Sequence, residues 1–199
     1  MYETIDLSTR IYDDNGKVIE TIYYSENRKL TEYKNLPENL KNAFIAIEDK
    51  TFWTHHGFNF KRMIGAILNG VTGGSISGTS TITQQLARNV FLADVKSERS
   101  IKRKIIEMYY AYQIEQVLTK EEILEAYLNT IYLGYGNYGV RSAANRYFDC
   151  NVKDLNLAQC AALAALPQAP DTFALLTNEK GENTTKLEKG LYANDASRE

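Results

Sequence analysis

Apolar positions along the chain change their spacing once. Ile11 and Tyr12 lead into Asp13-Asp14-Asn15-Gly16-Lys17, and Val18, Ile19 and Ile22 follow. Strand-forming residues on both sides of Asn-Gly predict a β-hairpin over 10–24, because both central residues of a type I′ turn take positive φ. From Pro37 onward the spacing is helical. Pro37 suits a first helical position, and Leu40, Ala43, Phe44 and Ile47 follow on one face to about Glu48-Asp49. A second helix is predicted over 59–71 on Phe60, Met63, Ile64, Ile67 and Leu68, then a mobile glycine- and serine-rich loop over 72–80. Thr81 and Gln84 form a capping-box pattern that starts a third helix, with Ile82, Leu86 and Val90 on its face. A fourth helix is expected over 97–118. Thr119 and Glu122 cap a fifth, whose stripe is Leu124, Tyr127, Leu128 and Ile131. Gly134, Gly136 and Gly139 mark a loop, short helices follow over 140–148 and 156–166, and Pro167 and Pro170 end the last. The pattern predicts a mainly α fold with a small N-terminal β-hairpin. The expected division is a hairpin and linker region over 1–36, a main domain over 37–177 and a disordered tail over 178–199.

Composition narrows the function. Twenty-three basic against 25 acidic residues give a net charge of −2 in 199 residues, which argues against nucleic-acid binding through bulk positive charge. Two cysteines, Cys150 and Cys160, make no disulfide framework and no zinc pattern, and read as core thiols. No stretch approaches the 18 apolar residues of a membrane span, and the N-terminus does not resemble a signal peptide. Fourteen tyrosines point to a surface that is amphipathic somewhere.

Three clusters carry candidate chemistry. Glu48 and Asp49 end a helix just before Phe52, Trp53, His55 and His56. Apolar rings beside a carboxylate desolvate it and make it a stronger base, although an exposed acidic pair at a helix end gives the same pattern. Ser80, Thr81, Thr83, Gln84 and Gln85 crowd the start of the third helix, with Arg88 one turn on. This favours an anion, or is plain N-capping. Arg103, Lys104 and Glu107 share a face of the fourth helix, continued by Ala111 and Glu115. Such a face is commonly a solvated ion-pair stripe. However, residues 80–104 carry six basic residues against two acidic, a local +4 that suits a pyrophosphate. Glu125 and Asn129, four apart, either tie helices together or line a site.

In order along the chain these clusters resemble the peptidoglycan glycosyltransferases, glycosyltransferase family 51, of class A penicillin-binding proteins and monofunctional transglycosylases. The residues are Glu-Asp-x-x-Phe-x-x-His-x-Gly at 48–57, Gly-x-Ser-Thr-Ile-Thr-Gln-Gln-Leu-x-Arg-Asn at 78–89 and Arg-Lys-x-x-Glu at 103–107. Ile-Leu-Glu-x-Tyr-Leu-Asn at 123–129 and Leu-x-x-Leu-Pro-Gln-x-Pro at 163–170 complete the set. The resemblance implies a lysozyme-like, two-lobed helical fold that polymerises lipid II into β-1,4-linked glycan with inversion, releasing undecaprenyl diphosphate. It implies Glu48 as general base and Glu107 as the second essential carboxylate, at the donor site. Arg88, Arg103 and Lys104 match the cationic positions around the donor diphosphate, and Arg88 stands where the family often has lysine. Ser80, Gln85, Asp49, Phe52, His55 and Asn129 match other substrate-binding cleft positions. No cofactor is obligatory, and a divalent cation, Mg or Mn, on the diphosphate is an option within the family. Implied partners are lipid II, the growing glycan strand and the outer face of the bacterial cytoplasmic membrane. The family's usual membrane span and a transpeptidase domain's Ser-x-x-Lys set are missing from these residues, so the chain is expected to be part of a longer anchored protein or a truncated product. A lysozyme-like hydrolase and an inactive precursor-binding module are the rival readings.

Overall fold

A computed structural model describes residues 9–12, 18–22, 27–59, 80–92 and 101–173. The strands are β1 (Thr9–Tyr12), β2 (Val18–Ile22), β3 (Asn27–Arg28) and β4 (Asn137–Tyr138). The helices are α1 (Glu38–Glu48), α2 (Ile82–Phe91), α3 (Ile101–Val117), α4 (Lys120–Thr130), α5 (Val140–Phe148), α6 (Leu157–Ala165) and α7 (Pro170–Phe173). The mainly helical class is as the pattern predicts. β1 and β2 pair antiparallel from Thr9 with Ile22 to Tyr12 with Val18, with an irregularity between Ile11 and Tyr12. Their expected Asn-Gly turn, the helix over 59–71, the loop over 72–79, the start of the fourth helix before 101 and the tail over 178–199 lie outside the described residues.

One local expectation is corrected. Pro37 is the residue before the helix, with ψ 142, rather than its first residue. Its carbonyl still accepts from Leu40 and Lys41, so the ring with its fixed φ sits at the start of the helix at no cost in backbone donors. The helix before Pro167 and Pro170 ends at Ala165, as expected; Pro167 then sits within a 3-10 turn over Leu166–Gln168 and Pro170 opens the short α7. A proline lacks only a donor that the first turn never uses, so both positions tolerate it. The parallel pairing of β3 with β4 has no counterpart in the sequence pattern, because two-residue strands carry no periodicity.

The core is one cluster. α2 packs on α3 and α4, and α1 packs on α6. Leu40 and Phe44 of α1, Ile82 and Leu86 of α2, Ile123, Leu124 and Leu128 of α4, and Leu163 of α6 are fully buried. Each such side chain contributes roughly 1.5–3 kcal/mol relative to exposure. Tyr127 of α4 meets Phe44 edge-on at 6.1 Å. Among the described residues no helix is long and apolar enough to cross a membrane.

α4 is clamped on two sides. Tyr127 faces α2, while Glu125 and Asn129, on the opposite face, hold the segment before α1. Asn129 accepts from the Thr31 amide at 2.9 Å and donates to the Thr31 carbonyl at 2.8 Å, and Glu125 accepts from the Tyr33 amide at 2.7 Å. Gly139 (φ 81) closes the return of the chain after β4. A Cβ there would lie 2.7 Å from the Asn129 carbonyl oxygen, so no side chain fits.

Candidate active site

The capping box puts α2 in place. Thr81 Oγ1 accepts from the Gln84 amide at 3.1 Å, Gln84 Oε1 accepts from the Thr81 amide at 2.9 Å, and Thr81 donates its own hydroxyl to the Gly57 carbonyl at 2.6 Å. Gly57 is at φ 89, pressed against the backbone of Ala111 in α3. The end of α1, the loop over 49–59 and the start of α2 are thereby tied into one corner.

Glu48 is the last residue of α1 and is half-buried. Its Oε2 accepts from Gln85 Nε2 at 2.7 Å. Gln85 in turn accepts from the Tyr127 hydroxyl at 3.3 Å. The Tyr127 phenol is held well above its ordinary value, first by burial and then by the negative charge of Glu48, so it stays a donor. A donor behind the amide oxygen leaves the amide nitrogen for Glu48, and the carboxylate is held in one orientation.

Asp49 is not the exposed neighbour that an acidic pair suggests. It is buried, and its Oδ2 accepts from His55 Nε2 at 2.7 Å and from the Ile82 amide at 3.1 Å. Thr51 donates to Oδ1 at 3.1 Å. Burial raises the Asp49 pKa, but the His55 bond and charge, the Ile82 amide and the Thr51 hydroxyl outweigh it, and the group is held below its ordinary value. Phe52 and His55 are likewise buried. These three side chains, and Asn129, which ties α4 to Thr31, present no open face to solvent.

A second centre lies on α3. Glu107 is 0 % exposed, yet three cations reach it: Arg103 at 3.0 Å, Arg88 of α2 at 3.9 Å, and Lys104 in close contact. Lys104 also donates to Ser80 Oγ at 2.8 Å. The solvated-stripe reading of this face fails, because α2 covers it. Three cations around one carboxylate leave the centre electropositive, and Lys104 records this. Burial lowers its pKa, Glu107 pulls it back up, and the Arg88 and Arg103 charges lower it again, leaving it below its ordinary value.

The two centres share α2. Gln85, which holds Glu48, and Arg88, which reaches Glu107, are three residues apart and so on one helix face. Both line a pocket of about 150 Å³ with Asn89, Ile131, Tyr132, Pro167 and Pro170. Tyr132 is fixed there by donating to Asp171 Oδ1 at 2.5 Å, and its phenol is pushed up to about 12, mainly by burial. Sequence reasoning missed Tyr127 and Tyr132 as site residues, since a tyrosine in an apolar stripe looks like packing. Among the described residues no group of three or more metal-ligating side chains stands together.

A buried carboxylate ringed by cations is thus linked, through Arg88 and Gln85 of α2, to the half-buried Glu48 carboxylate. The transglycosylase family model matches residues 15–191. Penicillin-binding protein 1A of Clostridium botulinum (strain Langeland) is 46% identical over 175 residues, covering 85% of this chain and 21% of that protein. Penicillin-binding protein 1A of Clostridium tetani is 45% identical over 190 residues, covering 90% and 24%. A crystal structure of penicillin-binding protein 1A from Haemophilus influenzae is similar at 24% identity and TM-score 0.41, over 88% of this chain and 16% of that one. The chain belongs to the transglycosylase family. It spans between a fifth and a quarter of the length of those two clostridial relatives.

Proposed function

We propose that this chain polymerises lipid II, with Glu48 as general base and Arg88, Arg103 and Lys104 as the cradle of the donor diphosphate. Glu48 takes the proton of the acceptor sugar's 4-hydroxyl. The oxygen attacks the donor's C1 from the face opposite the phosphate, the C1–O bond to diphosphate breaks, and the configuration inverts. The bonding pair leaves on undecaprenyl diphosphate, where fixed cations are worth more than in water. A diphosphate departs without the acid that an ordinary glycoside requires, so one base suffices. Glu107 holds the three cations together, and Ser80 holds Lys104. Asp49 and His55 hold the start of α2, which carries Gln85, and Asn129 anchors α4. A single buried carboxylate already paired with three cations is no protein cage for a divalent ion, so Mg or Mn would enter on the diphosphate and share its charge. The reaction belongs at the outer face of the cytoplasmic membrane, where the lipid is anchored, and a transpeptidase domain would act on its product in the longer protein.

The observation that supports this reading is the placement of Gln85 and Arg88 on one face of α2, where Gln85 holds Glu48, Arg88 reaches Glu107, and both line one pocket. A lytic hydrolase has no use for three cations at its leaving group. The test is lipid II polymerisation in detergent. Glu48→Gln should lose about 10²- to 10⁴-fold in kcat while keeping its affinity for a diphosphate-bearing lipid analogue, and Arg103→Ala should lose that affinity as well. Normal polymerisation by Glu48→Gln would remove the base assignment.

A further inference from the structure

Glu115 is a buried carboxylate that the mechanism above leaves unused. It lies two helical steps of four beyond Glu107 on α3, and its side chain is 4 % exposed. Its Oε1 accepts from the Thr83 hydroxyl at 2.6 Å and from Lys120 Nζ at 2.7 Å, and stands 3.7 Å from His55 Nδ1. Lys120 is the first residue of α4, where a positive charge opposes the helix dipole. Its ammonium lies 4.7 Å from the centre of the Phe52 ring and 3.5 Å from His55 Nδ1. Two local rules are thus broken together. A carboxylate is buried against a partly exposed ammonium, which costs desolvation, and a cation starts a helix. Such breaks point to a requirement for geometry rather than for stability.

The geometry follows from the donors. His55 Nδ1 receives the Gly57 amide at 3.1 Å and faces the Lys120 ammonium. Both are donors, so Nδ1 carries the lone pair and Nε2 carries the proton, aimed at Asp49 Oδ2. That same oxygen takes the Ile82 amide. The first turn of α2 is therefore gripped from two sides, by Asp49 at Ile82 and by Glu115 at Thr83, and Gln85 projects from the end of that turn to Glu48.

We propose that Glu115 and Lys120 are positioning residues for the base, acting through His55 and Asp49 and through Thr83 to fix the first turn of α2 and so the Gln85–Glu48 hydrogen bond. The role rests on the reading of Glu48 as the base. Without the Glu115 charge, the Lys120 ammonium is left facing His55 uncompensated, and the Thr83 hydroxyl keeps only a weaker neutral acceptor in Glu115→Gln, so the turn that carries Gln85 shifts. Arg103 and Lys104, the part of the cradle on α3, have their own anchors in Glu107 and Ser80 and stay in place.

The experiment measures lipid II polymerisation, affinity for a diphosphate-bearing lipid analogue and thermal unfolding. The variants are Glu115→Gln, Lys120→Met, Lys120→Arg, Gln85→Ala and the Gln85→Ala/Glu115→Gln pair. Glu115→Gln and Lys120→Met should each lose roughly 10- to 100-fold in kcat, the size of effect a small misplacement produces. KM and analogue affinity should stay within about twofold, and Lys120→Arg should restore most of the rate. On top of Gln85→Ala, Glu115→Gln should cost no more than about twofold, because the route runs through Gln85. Wild-type kcat in Glu115→Gln and Lys120→Met overturns the proposal. So does a loss shared equally by kcat and analogue affinity, which marks general support, or a loss undiminished in the Gln85→Ala background. If Glu115→Gln does not fold, the contrast between Lys120→Met and Lys120→Arg decides alone. A wild-type rate in Glu48→Gln defeats the base reading, whereas an inactive Glu48→Gln beside a fully active Glu115→Gln defeats only this one.

Discussion

Lys104 shows how a single side chain reports its surroundings. Burial and the neighbouring guanidinium groups of Arg88 and Arg103 hold its ammonium below the usual lysine value of 10.5, against the pull of Glu107. Rising pH removes the proton, and with it one of the three cations of the proposed diphosphate cradle. Affinity for a soluble diphosphate analogue should therefore start to fall at a lower pH than an ordinary lysine would dictate. Lys104→Arg, which keeps its charge throughout, should abolish the decline. A binding titration across the alkaline range distinguishes the two. Asp49 is the opposite case, a carboxylate whose partners overcome burial. Its stabilising contribution is present above the unfolded carboxylate value and is lost as pH falls through the lowered folded value.

At the scale of elements, the corner where α1, α2 and α3 meet depends on Gly57. The residue is at φ 89, and a Cβ would lie 2.9 Å from both the carbonyl carbon and oxygen of Ala111. Backbone on both sides leaves nothing flexible to yield. Gly57→Ala should cost about 3 kcal/mol of stability, combining the strained φ with the steric clash. It should also slow turnover, because the Gly57 carbonyl anchors Thr81 and the Gly57 amide anchors His55. Denaturant unfolding read beside the polymerisation rate separates the two effects. Other elements needed no such corner. The caps of α2 and α4, Thr81 with Gln84 and Thr119 with Glu122, are as the sequence pattern predicts, since a capping box is a local device. The grip of Asp49 on Ile82 joins residues 33 apart, and only the folded chain brings it about.

At the scale of the whole molecule, charge is arranged rather than abundant. A net charge of −2 gives no long-range attraction for an anion, so under the proposed function the pull on a diphosphate comes from the cation cluster of Arg88, Arg103 and Lys104. The Debye length is about 10 Å at 0.1 M salt, so this pull is short-ranged at any working ionic strength. Raising salt from about 0.05 to 0.5 M should slow association of the soluble analogue by less than about tenfold, as stopped-flow mixing can check. The helices and the residue types of both centres were legible in the chain because periodicity and motif spacing are local. The burial of Glu107, Asp49 and Glu115 was not, because covering a helix face is the work of a different helix. Glu125 and Asn129 were ambiguous for the same reason, until Thr31 and Tyr33 came to lie beside them. That arrangement makes α4 a lever. The strap at Thr31 and Tyr33 is fastened to one flank, and the Tyr127 phenol beneath Gln85 rides on the other. Tension on the N-terminal strap thus arrives, through one rigid rod, underneath the amide that steers Glu48.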